Sequence, residues 1–322
     1  MRSLCFGVGL LCAVTFSTAA DPAYPTHTLN SDALRVTVYL PDARAGFYRG
    51  TRFDHAGVCT VQYGKHAVFG PWKGKHDPTN NDDIVGPVQE FGSGFSSPLH
   101  YADAKVGEAF LKIGVGELEK PKEEKYRFYH NYKFIKPGDW SVEKSDKKIS
   151  FEQKMNTGSG YGYKYTKTIV VDEARMSFFH VLENTGSKRM ETDVYNHNFF
   201  NVDDDAVGEN YAVEFAFTPK PRPTKEPAIL GKFAGKVFTT ENPEAGSLYY
   251  ELDGFDPAKA SDNMVTLKHF PSGLQVKAAG NQPLSRINLW GTRTVLCPEP
   301  FLQLDIAPGK KATWTWTYTF AK

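Results

Sequence analysis

The chain has 322 residues and a formal net charge of +1, with 38 basic side chains against 37 acidic ones. That balance argues against a nucleic-acid or anionic-membrane partner, each of which calls for a basic excess. Tyrosine, phenylalanine and tryptophan number 16, 23 and 5, residue types that favour strands and, where exposed, stack on sugar rings.

The chain opens with a segment that predicts export. Arg2 is the only charge before Asp21, an apolar run covers residues 4–16, and Ser17-Thr18-Ala19-Ala20 follow. A basic start, a short apolar core and a small-residue exit make a signal peptide over residues 1–20, and hence a secreted or periplasmic protein. The apolar run is too short to span a bilayer, so no membrane association is expected of the mature chain. Leu11 before Cys12 does not suit lipoprotein processing. Residues 21–322 are read as a single domain, because strand patterning continues throughout and no internal repeat interrupts it. Two of the four cysteines fall in the leader. Cys59 and Cys297 remain, either as a disulfide in an oxidising compartment or as two buried thiols. No zinc-type cysteine spacing is present, and no cofactor or metal is expected.

Period-2 alternation dominates the chain beyond the leader. Residues 34–40, 149–153, 161–171 and 312–320 alternate apolar and polar side chains, with Gly, Pro, Asn and Asp between the runs. Residues 171–176 and 183–186 read as turns between paired strands. Helical spacing is scarce, and its best candidate is a short piece over 97–110. The charged stretch 117–148 reads as exposed loops and an edge strand, and the proline-rich 218–226 as an extended surface loop. Many strands with closely spaced turns predict an all-β sandwich or barrel.

Three segments carry candidate chemistry. In Tyr195-Asn196-His197-Asn198-Phe199-Phe200-Asn201, alternation sets Asn196 and Asn198 on one face and His197 on the other. Histidine titrates near neutrality and can donate or accept a proton; a structural histidine inside the sheet is the alternative. In Cys297-Pro298-Glu299-Pro300, a carboxylate between two prolines sits on a stiff backbone that does not fit an ordinary strand ladder, either as a positioned base or as a charged edge bulge. In Gly50-Thr51-Arg52-Phe53, the Arg52 fork suits hydroxyl or carboxylate oxygens, unless it forms only a surface salt bridge. Asp203-Asp204-Asp205 reads as a solvated loop, with calcium ligation through its oxygens as the lesser alternative. His180 is expected to pack within the sheet.

The His197 segment resembles the asparagine-histidine-x-tyrosine/phenylalanine-phenylalanine-asparagine motif of the galactose mutarotase (aldose 1-epimerase) family. Gly50-Thr51-Arg52-Phe53, Cys297-Pro298-Glu299-Pro300 and Ile306-Ala307-Pro308-Gly309-Lys310 are similar to other family segments and occur in the same order. The resemblance implies a large β-sandwich, the galactose mutarotase-like supersandwich, with a sugar-binding cleft and a small-molecule sugar as partner. It implies His197 as the acid that protonates the ring oxygen and Glu299 as the base that takes the anomeric hydroxyl proton, with Arg52 holding a sugar hydroxyl. Asn196, Glu90 and Trp290 are further candidates for substrate binding. The family's earlier histidine, in an asparagine-x-x-histidine-glycine setting, has no match; His100 and His130 are its possible stand-ins. The family's sugar-binding aspartate has none either. These departures point to a diverged relative, and they leave open a carbohydrate-binding protein without catalysis or a lyase or hydrolase on the same fold.

Overall fold

Alternation in the sequence becomes alternation between core and solvent. In the strand Gly162–Asp172, Tyr163, Tyr165, Ile169 and Val171 are buried while the residues between them, Lys167 apart, are partly exposed. Its neighbour Arg175–Asn184 follows after a two-residue turn at Glu173 and Ala174, with Asp172 paired to Arg175. The computed structural model describes residues 24–93, 95–223, 231–241 and 246–322; the expected leader lies outside them.

Two large antiparallel sheets carry the fold. The ten-stranded sheet runs in the order Gly231–Ala234, Val237–Thr240, Tyr211–Phe215, Met264–His269, Leu274–Gly280, Lys311–Ala321, Arg175–Asn184, Gly162–Asp172, Lys148–Asn156 and Trp140–Lys144. The six-stranded sheet has the order Lys220–Pro223, Ser247–Asp253, Arg286–Thr292, Leu296–Ile306, Met190–Asn198 and Pro87–Phe91. Their inner faces meet in one apolar core. Phe91 of the smaller sheet contacts the rings of Tyr165 and Trp314 of the larger at 5.3 and 6.1 Å. Each fully buried side chain of this kind contributes about 1.5–3 kcal/mol. A four-stranded sheet (Thr26–Asn30, Leu34–Tyr39, Cys59–Tyr63, His66–Ala67) and a three-stranded one (Ala109–Lys112, Gly116–Glu119, Phe134–Pro137) complete the β structure.

The structure corrects several expectations. Residues 97–110 hold no helix: Pro98 and Gly107 interrupt the segment, His100 has a φ of 70°, and the strand Ala109–Lys112 begins at its end. Among the described residues the only helix is the three-residue 3₁₀ turn Ala260–Asp262, and none is long and apolar enough to cross a membrane. Lys220–Pro223 is a strand rather than a loop, pairing with Ser247–Asp253 at a sheet edge, where proline's missing N–H is tolerated. Residues 224–226 of that expected loop lie outside the described residues. Cys59 and Cys297 are free, buried thiols. Asp203 and Asp205 bind protein groups, His66 at 2.6 Å and His269 at 3.0 Å. No group of three or more metal-ligating side chains occurs among the described residues. His180 packs as expected, its ring parallel to Trp314 at 4.9 Å.

Candidate active site

The outer face of the six-stranded sheet builds a site from strand register alone. Tyr195 pairs with Glu90 on one side and Phe301 on the other, and Phe301 pairs with Arg286. Two residues along, Glu299 pairs with Asn288, and the same register sets His197 opposite Glu299. Two further along, Cys297 pairs with Trp290 and Trp290 with Tyr249. Because side chains alternate with period 2, these three rows point the same way. Four strands thus place His197, Glu299, Asn288, Trp290, Tyr195 and Tyr249 around one cavity of about 850 Å³.

The two prolines decide how His197 meets Glu299. Contrary to the sequence expectation, Pro298 and Pro300 lie inside the eleven-residue strand Leu296–Ile306, paired with Leu289 and Ile287. On the other side, toward Met190–Asn198, the ladder stops at Tyr195–Phe301 and resumes only at the Phe200–Leu296 bridge. The Pro298 carbonyl faces that gap and accepts from Asn198 Nδ2 at 2.8 Å. A strand residue's N and C=O point the same way, so both prolines turn their missing N–H toward the gap. Each ladder bond forgone costs about 1 kcal/mol, offset by burial of Leu296, Leu302 and Ile306 on the core face. Within the gap, His197 Nε2 lies 3.0 Å from Glu299 Oε1.

Burial sets the electrostatics of this pair. It pushes the Glu299 carboxyl up to about 8, against the pull of Arg52 and the Asn288 amide. Burial, reinforced by Arg52, holds the His197 imidazole well below its ordinary range. Both shifts penalise charge, so the favoured form of the pair carries one proton on Glu299 and a neutral imidazole. His197 is held by Phe199, parallel at 3.9 Å, and by the edge of Phe53 at 5.6 Å.

Arg52 reaches the cavity from the loop after Tyr48. The Tyr48 hydroxyl pins that loop, donating to the Asn81 carbonyl and accepting from Phe53 N at 3.0 and 3.1 Å. The guanidinium lies between the rings of Phe53 and Phe128, 4.4 Å from each centroid. It donates to Glu90, to Tyr195 and to Asp82. Behind the wall, Lys112 Nζ donates to Glu90 at 3.0 Å, to the Gly92 carbonyl and to the Tyr126 hydroxyl. Arg52 and Lys112 together balance the buried Glu90 and the partly exposed Asp82, as a buried carboxylate requires.

Of the residues singled out in the sequence, His197, Glu299, Arg52 and Trp290 line this cavity; the other four do not. Asn196 faces the core, as alternation demands, and hydrogen-bonds Gln89, Asn198 and Tyr318. Glu90 is fully buried behind the wall, its carboxylate occupied by Arg52, Lys112 and Tyr195. His100 sits outside, beside Asp103 and Tyr161. His130 binds Glu123 at 3.0 Å and borders a separate, smaller hollow. Sequence reasoning missed Tyr195, Asn288 and Tyr249, although each lies at an alternating strand position, and Trp72, stacked on Phe199 at 5.5 Å.

No protein-family model matches the chain, and no curated protein matches its sequence. Solved structures do match its fold. A candidate aldose 1-epimerase of Escherichia coli K12 superposes with a TM-score of 0.56 at 12% identity, over 92% of this chain and 99% of that one. The chain has the galactose mutarotase-like fold. The Slr1438 protein of Synechocystis sp. PCC 6803 gives a TM-score of 0.55 at 10% identity, over 94% of this chain and 99% of that one. A galactose mutarotase related enzyme of Lactobacillus acidophilus gives 0.52 at 13%, over 92% and 98%. Within this mutarotase-like sandwich, the cavity opens on the outer face of the six-stranded sheet.

Proposed function

We propose that the protein binds a sugar in this cavity and interconverts its anomers by acid–base ring opening at the His197–Glu299 pair. The observation that carries the reading is the 3.0 Å contact between His197 and Glu299 in the cavity wall. Trp290, Trp72 and Tyr249 beside them offer apolar faces to a sugar ring.

Ring opening needs one group to take the proton of the anomeric hydroxyl and another to give a proton to the ring oxygen as the C1–O5 bond breaks. The pair holds one proton between two groups. With that proton on Glu299, the carboxyl donates to the ring oxygen and His197 Nε2 accepts from the anomeric hydroxyl. The open-chain aldehyde then faces an ionised Glu299 and a protonated His197. After rotation about C1–C2, reclosure runs with the roles exchanged: His197 is the acid and Glu299 the base. The two oxygens are thus swapped relative to the sequence resemblance, which gives His197 the ring oxygen and Glu299 the anomeric hydroxyl, because burial leaves the proton on Glu299. Reclosure on either face of the aldehyde restores the starting state of the pair. Placed proton transfer of this kind contributes about 10²–10⁴-fold per step, and no step calls for a cofactor.

A second reading, a sugar-binding protein without catalysis, has one observation in its favour. The two groups touch each other, so the sugar must approach both from the cavity side rather than enter between them. Exchange spectroscopy on a sugar mixed with the protein separates the two readings, since only an enzyme transfers magnetisation between the α and β anomeric signals faster than buffer does. Export belongs to the same proposal and is tested by locating the protein in fractionated cells.

A further inference from the structure

We propose that the sugar this cavity takes is an anionic one, carrying a carboxylate or sulfate beside the ring. The inference rests on the sugar-binding reading and extends it to the substrate class.

The charges on the cavity wall divide into two sets. Arg52 is neutralised where it stands by Glu90 and Asp82. Lys73, Lys125 and Arg127 also line the cavity, and among the described residues none of the three has a carboxylate within ion-pairing distance. Lys73 sits over the Trp72 ring at 4.9 Å, which ties its ammonium to the aromatic wall. Lys125 and Arg127 flank Tyr126 on the opposing loop and are exposed. The only other acid of the lining is Glu299, whose carboxyl burial keeps protonated up to about pH 8. The cavity mouth therefore carries three uncompensated positive charges in a chain whose net charge is only +1. A cleft lined by one sign of charge over low-dielectric walls concentrates ligands of the opposite sign.

The walls limit what kind of anion fits. Phe95, Phe128 and Tyr129 are 51, 37 and 55% exposed and line the same cavity. Arg286 caps the Phe95 ring at 3.6 Å. Exposed rings grouped around a hollow suit a ligand with flat, apolar faces, which a pyranose ring has and a bare inorganic anion lacks. The cavity's 850 Å³ leaves room for a ring together with its charged substituent, in the range of ligand pockets generally.

The test is calorimetric titration of the full chain with galacturonate, galactose and galactose 6-sulfate. The wild type and the variant Lys73→Ala/Lys125→Ala/Arg127→Ala are compared at low and high salt, after circular dichroism shows that the variant is folded. The expected result is that galacturonate or galactose 6-sulfate binds the wild type about tenfold more tightly than galactose. Salt and the triple substitution should each remove that preference. Which anion gains more distinguishes carboxylate from sulfate. Equal binding of all three sugars would overturn the inference and leave the sugar-binding reading standing, and so would a preference that survives the triple substitution. Binding of none of them by the folded protein would overturn both.

Discussion

His197 Nε2 and Glu299 Oε1 lie 3.0 Å apart on neighbouring antiparallel strands, at the point where Pro298 and Pro300 interrupt the ladder between those strands. Both groups are removed from water, so charge on either is penalised, and the pair retains a single proton over a wide pH range.

The retained proton predicts a pH dependence of stability. Unfolded, the two groups titrate near their ordinary values of 4.5 and 6.5. Between those values each state of the chain holds one proton, on Glu299 when folded and on His197 when unfolded, and the pair leaves stability flat. From pH 6.5 to about 8 the folded pair keeps a proton that the unfolded chain has released. Stability must then fall as pH rises, by about 1.4 kcal/mol per pH unit, or about 2 kcal/mol in all. Urea unfolding of the wild type and Glu299→Gln should show their stability difference shrinking or reversing by that amount across the window. A difference independent of pH would mean that Glu299 titrates normally.

A buried ion pair supports the loop that carries Arg52. Lys167 Nζ lies 2.6 Å from Asp54 Oδ2, and neither side chain is exposed. Lys167→Met leaves the Asp54 carboxylate buried without its cation and should cost about 3–5 kcal/mol. Replacing both, as Asp54→Leu/Lys167→Met, should cost much less than the single change. Denaturant midpoints of the three proteins check this; an equal or larger loss in the double variant would contradict it.

The aromatic wall has its own consequence. Trp290 stands two strands from His197, with ring centroids 5.6 Å apart, and lines the cavity while packing, partly buried, against the apolar cluster behind it. Trp290→Ala, in protein shown by circular dichroism to be folded, should weaken sugar binding about tenfold by removing a stacking face. An unchanged affinity would place the sugar elsewhere.

Much of this architecture is legible in the sequence. The runs 34–40, 161–171 and 312–320 become the strands Leu34–Tyr39, Gly162–Asp172 and Lys311–Ala321, because each buries one face and period 2 records which. The same alternation separates His197 from Asn196. What the sequence withholds is register between distant strands. Nothing local says that Asn288 pairs with Glu299, or that Tyr249 pairs with Trp290, so these cavity residues are invisible until the sheet is assembled. Glu90, His100 and His130 are plausible by chemistry alone, and only tertiary placement removes them from the cavity. The prolines around Glu299 mislead for a physical reason: read alone they break a strand, whereas here they break only one of its two ladders.

The most direct measurement is α-to-β exchange of a free aldose followed by magnetisation transfer at pH 7, with wild-type protein, His197→Asn and Glu299→Gln. Acid–base ring opening at this pair predicts exchange above the buffer rate with the wild type and a loss of about 100-fold or more of that excess in each variant. A wild-type rate equal to buffer, with sugar demonstrably bound, or full acceleration in either variant, would contradict it.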